Sequence, residues 1–312
     1  MDLVTSRGGR LSRRALLLLG AAAAGCRSGG GDAAPLRLAT GPAGGAYGVL
    51  GDRFAAELRR RGLRVQVTKT AASVENLELL AAGRADLGFA LADSAEDAVR
   101  VRRRPICALA RMYLNYVHLV VPDGSKVRAP ADLDGRAVSI GAEGSGTAVT
   151  AERVLAAAGP VRPARTLRLG LEESIAALRD GRIEAFFWSG GVPTPAVDAL
   201  GRAAPIRLVA LSGLVRRMRR SYGPMYEPVP VPAGAYGGTA PVSTIGTASY
   251  LVCRRALGAG TAFRATEVLF SSRDRLRVPD APGARLDRRY AVGTGGVPLH
   301  AGAVRYYRSV YD

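Results

Sequence analysis

Transition-metal chemistry has little to work with in this chain, which holds three cysteines and two histidines in 312 residues. Cys26, Cys107 and Cys253 are scattered, as are His118 and His300, so no set stands at ligand spacing and neither a metal nor a cofactor is expected. Cys107 and Cys253 each lie in an apolar run and read as buried free thiols rather than a disulfide. Lysine is almost missing: Lys69 and Lys126 are the only two, so the net charge of +18 comes from arginine. The arginine clusters at 59–61, 102–104 and 216–220 fall at expected helix ends or in loops. They lack the interleaved aromatics of a single-strand binder, so they read as solvated faces and no nucleic-acid partner is expected. The excess charge can still attract anionic ligands or anionic lipid headgroups. Past the N-terminus no apolar run reaches 18 residues, so no later segment reads as membrane-spanning. A Gly-x-Ser-x-Gly elbow, a Gly-Lys-Ser/Thr phosphate loop and a convincing carboxylate pair are all missing. With two dispersed histidines as the only ready bases, the chain is not expected to be an enzyme.

What is present begins with a targeting segment. Basic Arg7, Arg10, Arg13 and Arg14 precede the apolar run 15–24 and Gly25-Cys26, an order that reads as a signal peptide rather than as part of the fold. Ala23-Ala24-Gly25-Cys26 resembles a bacterial lipobox, which implies that residues 1–26 are a lipoprotein signal peptide and Cys26 the lipidated first residue of the mature chain; the alternative is an ordinary cleaved secretory signal with a chance cysteine. Ser12-Arg13-Arg14-Ala15-Leu16-Leu17 also resembles a twin-arginine export signal. Residues 27–35, with Gly29, Gly30 and Gly31, form a flexible tether. The rest is long enough for two domains of ordinary size.

Residues 36–47 alternate as a strand, turn on glycines, and open a helix. The construction returns as Ala137 to Thr147, with Gly41 matching Gly141, Gly44 matching Gly144 and Tyr47 matching Thr147. Such a turn presents backbone N–H groups at the positive end of a helix, where an anion can sit. Each turn opens a series of strand, helix, strand, helix, strand: 36–40, 47–61, 65–70, 73–82 and 86–91, then 137–142, 146–158, 166–170, 172–180 and 185–189. The alternation argues for parallel βα units. Gly83-Arg-Ala-Asp86 has a counterpart in Gly181-Arg-Ile-Glu184, and the two repeats together argue for duplicated lobes. Extended stretches at 116–121 and 243–253 supply two crossings between them, a hinge that lets the lobes close on a ligand. The expected fold is therefore α/β, with two lobes joined by two crossing hinge strands. Lobe 1 comprises residues 36–121 and 246–312, and lobe 2 residues 122–245.

A set of motifs carries a family resemblance: Gly44-Gly45-Ala46-Tyr47; Ser73-Val74-Glu75-Asn76-Leu77; Gly144-Ser145-Gly146-Thr147; Gly191-Val192-Pro193-Thr194-Pro195; Val117-His118; Ala233-Gly234-Ala235-Tyr236; and the ending 298–307. In this order, over nearly the whole mature chain, they resemble the solute receptors of TRAP transporters of the TAXI type. The resemblance implies the fold of a two-lobed periplasmic binding protein of type II-like form, and an extracytoplasmic, membrane-anchored monomer. It would capture a small carboxylate, such as a glutamate-like amino acid or a 2-oxo acid, and deliver it to membrane permease subunits. A rival use of the same fold is a ligand sensor coupled to a membrane signalling protein. Asn115 and Ala301 depart from the family pattern, the first at the cleft rim and the second at the start of the last helix.

A carboxylate between lobes needs donors more than formal charge. Ser145, Gly146 and Thr147 are expected to hold it from one side and Gly44, Gly45 and Tyr47 from the other, with the Thr40 hydroxyl added at its strand end. Ser73 is read as the N-cap of its helix beside the site. Asn76, which donates and accepts at once, suits an amino-acid ligand. Asp93 either meets a ligand ammonium or caps the helix after it. Trp188 and Ser189 stand where open α/β sheets place ligands, Trp188 as a stacking face or wall. Val192 contributes through its backbone, and Tyr236 is expected to present an exposed phenol that closes over the cleft. His118 and His300 read as structural.

Overall fold

The structure, a computed structural model, describes residues 34–159, 161–276 and 286–311. The signal peptide, Cys26 and residues 27–33 of the tether lie outside the described residues. From Leu36 the chain runs β1 (Leu36–Ala39), α1 (Ala46–Arg60), β2 (Val65–Thr68), α2 (Ser73–Ala81) and β3 (Leu87–Leu91). The short α3 (Ala92–Glu96) leads to the long β4 (Ile106–Pro122). A second series follows: β5 (Ala137–Ser139), α4 (Gly146–Ala158), β6 (Arg165–Leu167), α5 (Leu171–Arg179) and β7 (Ala185–Gly190). Then come α6 (Pro195–Ala203), β8 (Ile206–Leu208), α7 (Val215–Tyr222), β9 (Tyr226–Val231), β10 (Val242–Arg254), α8 (Ala259–Ser271), α9 (Arg288–Ala291) and α10 (Ala301–Tyr311).

Among the described residues the strands form one sheet ordered β2-β1-β3-β10-β4-β7-β5-β6, with β9 added on β10 and β8 on β4. β1 pairs parallel with β2 and β3, and β5 pairs parallel with β6 and β7. Both series thus place their first strand in the middle, which is what a duplicated βαβαβ unit produces. Antiparallel β4 and β10 join the two triads, pairing from Ile245 opposite Val117 to Arg254 opposite Ile106. The 17 residues of β4, at about 3.4 Å each, reach roughly 55 Å, enough to run through both halves.

The cores divide along these two strands. One set of buried apolar side chains takes β4 residues up to Tyr113 together with β10 residues from Ala248 onward. The other takes β4 residues from Val117 and β10 residues up to Ile245. The helices α8 and α10 pack with α1 on the first set, through Phe270, Tyr306 and Tyr307.

Local sequence explains most elements. In α1 the spacing of Tyr47, Leu50, Phe54 and Leu58 gives one buried face, and Arg59 and Arg60 sit in the last turn, where the helix dipole favours cations. Asp86 ties the base of the first triad. Burial opposes its ionisation, but hydrogen bonds from Arg37 and Arg254 override this and hold its carboxyl at about 2. Glu184, the matching residue of the second triad, pairs with Arg136.

Several expectations need correction. The cluster 216–220 runs along the short α7, with Arg219 and Arg220 in its last turn. Ser73 is the first helical residue of α2; the N-cap is Ala72, at φ 95°. The helix α6 went unread although its start, Thr194 before Pro195, is a strong signal. As expected, Cys107 and Cys253 are buried free thiols; they stand at facing positions of β4 and β10.

Candidate functional site

The two glycine-rich corners make the same turn over residues 42–45 and 142–145; ahead of it Gly141, but not Gly41, has a positive φ. In one, the Gly45 N–H donates to the Pro42 carbonyl at 3.1 Å; in the other, Ser145 donates to Ala142 at the same distance. Gly44 and Gly144, at the third position of each turn, both have φ 75°, a conformation that the missing Cβ of glycine permits. Gly45 and Ser145 then act as N-caps of α1 and α4 with near-equal dihedrals. They differ in chemistry. The Ser145 hydroxyl accepts from the Ala148 N–H and donates to the Ala142 carbonyl, whereas Gly45 has no side chain to cap α1.

Both corners open on one cleft of about 620 Å³. Its lining includes the N-terminal ends of α1, α2, α4, α5 and α6, through Ala46, Ser73, Gly146, Leu171 and Pro195. These helices follow strands of the two parallel triads, so their positive ends meet at the carboxyl edge of the sheet, where such folds place ligands. No Arg, Lys or His lines the cleft among the described residues; its formally charged side chains are Glu172 and Glu173. An anion here is met by N–H groups and dipoles.

Of the residues expected from sequence, the structure brings Gly44, Gly45, Tyr47, Ser73, Ser145, Gly146, Thr147, Trp188 and Ser189 together on the cleft wall. The Thr147 hydroxyl accepts from the Ser189 N–H at 3.3 Å, while the buried Ser189 hydroxyl has no protein partner. The Trp188 ring is a wall: its indole N–H donates to Thr194 at 3.0 Å and the ring lies over Gly190. Tyr47 lies over the floor with its hydroxyl 2.7 Å from that of Ser249, and burial pushes its phenol pKa up. Ser73 accepts from the Leu91 N–H at 3.0 Å, joining α2 to β3.

Five of the expected residues do not line the cleft. Thr40 is fully buried and donates to the Thr68 carbonyl. Asn76, also fully buried, spends both amide hydrogens on the Thr40 and Phe89 carbonyls and accepts from Thr70, so it ties β1, β3 and α2 together instead of facing a ligand. Asp93 is fully buried and accepts from Ser94, Thr150 and Tyr226. The side chain of Val192, whose backbone was the expected contact, packs in the apolar core of the second lobe. Tyr236 is buried, and its phenol supports the loop 191–194 from behind by accepting the Thr194 N–H at 2.7 Å.

Sequence reasoning missed the walls at Leu169–Glu173 and at Pro195 and Ala196. The helix starts Gly170 and Thr194-Pro195 were legible, but nothing local says which helix ends share a cleft. Asn115 also lines it, and its amide donates to Ser249 beneath Tyr47.

The lobes touch. The Val74 and Glu75 N–H groups of α2 both donate to the Gly144 carbonyl, at 3.0 and 3.1 Å. A Cβ on Gly146 would lie 2.4 Å from the Ser73 hydroxyl and 2.8 Å from Leu91, so the corner of α4 rests on the first lobe. Beside it Asp93 accepts from Thr150 at 2.6 Å and Tyr226 at 3.1 Å, and Arg153 bridges Tyr226 and Asp97.

His118 stands behind the wall. Burial lowers its pKa to about 4, which keeps the ring neutral at pH 7. Its Nδ1 faces the Tyr116 and Trp188 carbonyls, at 2.9 and 3.3 Å, and so carries the proton; Nε2 then accepts from the Tyr236 hydroxyl at 2.9 Å. Neither His118 nor His300 lines the cleft, so Ser145 has no imidazole base there.

A family model described as the NMT1-like family matches residues 38–310. Among solved structures, the chain is similar to the arginine-, lysine-, histidine-binding protein ArtJ from Geobacillus stearothermophilus, at 11% identity and TM-score 0.51, over 78% of this chain and 92% of that one. It is similar to a Xanthomonas citri protein solved with chloride ion, at 14% and 0.50, over 88% and 95%. It is also similar to the GluR0 ligand-binding core solved with L-glutamate, at 12% and 0.50, over 78% and 96%. At these identities the likeness is one of fold: two α/β lobes of the periplasmic-binding-protein kind, as the motif resemblance implied.

Proposed function

Because this chain belongs to the NMT1-like family, we propose that it is an extracytoplasmic solute receptor that captures a small carboxylate between its lobes. The observation that carries this reading is the pair of matching corners, Gly44-Gly45 and Gly144-Ser145, aiming the starts of α1 and α4 into one cleft. A carboxylate accepts hydrogen bonds only, and the cleft offers N–H groups at helix starts with the Thr147 hydroxyl beside them. Gly44, Gly45, Tyr47, Ser145, Gly146, Thr147, Trp188 and Ser189 make up the proposed contacts. The hinge lies where the cores change over, between Tyr113 and Val117 on β4 and between Ile245 and Ala248 on β10. The motif order that resembles TAXI-type receptors supports a TRAP-type permease as the partner, with lipid on Cys26 as the membrane anchor.

A thermal-shift screen of the purified full chain against carboxylates and amino acids tests the reading, since a ligand that binds only the native state raises the melting temperature. A carboxylate that raises it, with the rise reduced in Ser189→Ala, is the expected result. No shift from any of them would sink the ligand class. Metabolic lipid labelling that is unchanged in Cys26→Ala would sink the anchor.

A further inference from the structure

The cleft is larger and more apolar than a short diacid or a glutamate-like ligand needs. We infer that the ligand is a monocarboxylate with an extended apolar body, its one anionic group seated at the helix starts and its hydrocarbon part lying between the lobes. The inference rests on the receptor reading above and narrows it.

Three observations carry it. The first is charge. A second carboxylate would find the start of α5 occupied by Glu173 and that of α2 by the Gly144 carbonyl, and the formally charged side chains on the wall are Glu172 and Glu173, in the first turn of α5. A second carboxylate would lie in a cleft with no cationic side chain among the described residues and with two like charges on its wall. The arginine nearest in sequence, Arg168, is already paired with Glu143 and Glu152.

The second is the wall itself. Val49 and Leu91 from one lobe face the same space as Leu169, Leu171, Phe187 and Trp188 from the other. Ligand pockets with few polar groups and mainly hydrophobic walls hold ligands by apolar burial.

The third is size under contact. The volume of about 620 Å³ falls inside the range of roughly 300–1,000 Å³ usual for drug-sized ligands. The lobes already meet at the α2–α4 corner, which limits closure there. The Gly144 carbonyl already receives two N–H groups of α2, and no room for even a methyl group remains between Gly146 and Ser73. A five-carbon diacid would leave much of the cleft to water.

The test is titration calorimetry of the full chain with butanoate, octanoate, octanedioate, glutamate and 2-oxoglutarate. Octanoate should bind tighter than butanoate by about fourfold for each added methylene buried. Octanedioate, the same length with one more carboxylate, should bind at least about tenfold more weakly than octanoate, a like-charge and desolvation effect. Glu172→Lys, at an exposed position, should narrow that gap; Glu172→Gln serves if the lysine variant does not fold. Octanedioate, glutamate or 2-oxoglutarate binding as tightly as octanoate would overturn the inference and leave the receptor reading standing. A gap that neither Glu172 variant narrows would overturn the like-charge part of the case. Failure of all five to bind at millimolar concentration would overturn the receptor reading, and the inference with it.

Discussion

Acidification from pH 7.5 to 5 should weaken the fold through His118. The group is 1% exposed, and burial lowers its folded-state pKa to about 4, against about 6.5 for a free imidazole. Below pH 6.5 the unfolded chain takes up a proton that the folded chain refuses until about pH 4. Stability is therefore fully present above pH 6.5 and falls as pH drops through that window. The whole shift corresponds to about 3 kcal/mol, of which about 2 kcal/mol is gone by pH 5. Asp86 adds acid sensitivity only lower, between the ordinary carboxylate range and its own value of about 2. The same protonation turns Nε2 into a donor facing the Tyr236 hydroxyl, so the support behind Thr194 weakens together with the fold. Urea midpoints of wild type and His118→Gln measured from pH 7.5 to 5 provide the check. The variant should be less stable at pH 7.5 and show a slope with pH flatter by about 2 kcal/mol over the range. Equal slopes would show that the imidazole is not held neutral by burial, and the proton assignment along Tyr236–His118–Tyr116 would fall.

Gly146→Ala should part the lobes, because its Cβ meets Ser73 and Leu91; small-angle scattering should give a larger radius of gyration, and an unchanged radius refutes the contact. Gly44→Ala has no neighbour within 4 Å and φ 75°, so its cost should be conformational strain alone, about 1 kcal/mol, read as a drop in melting temperature; a loss of several kcal/mol would mean that the turn is more than a backbone device. Arg153→Met should cost about 2 kcal/mol by removing charged hydrogen bonds to Tyr226 and Asp97. A double-mutant cycle with Tyr226→Phe should show coupling between the two changes, and additive losses would break the proposed chain across the lobes.

Much of the fold was legible because its signals are local. Gly44 and Gly144 announce their turns by a backbone only glycine takes up easily, and the spacing of Tyr47, Leu50, Phe54 and Leu58 shows one helix face. The site was read less well where polarity was mistaken for availability. Asn76, Asp93 and Tyr236 carry the right groups for a ligand, but each spends them on protein partners distant in sequence, such as Phe89, Thr150 and Thr194.

The sequence by itself determined that this protein has two glycine-built helix starts, one in each of two βαβαβ series, since turn conformation and helix periodicity depend on near neighbours. Only the tertiary structure decided that five helix starts share one cleft, that the cleft holds no cationic side chain among the described residues, and that the lobes meet through Gly144 and Gly146. Those facts come from β4 and β10 bringing together residues far apart in the chain, such as Val74 with Gly144 and Ala46 with Pro195, and no local preference encodes which polar groups remain free once the chain has packed.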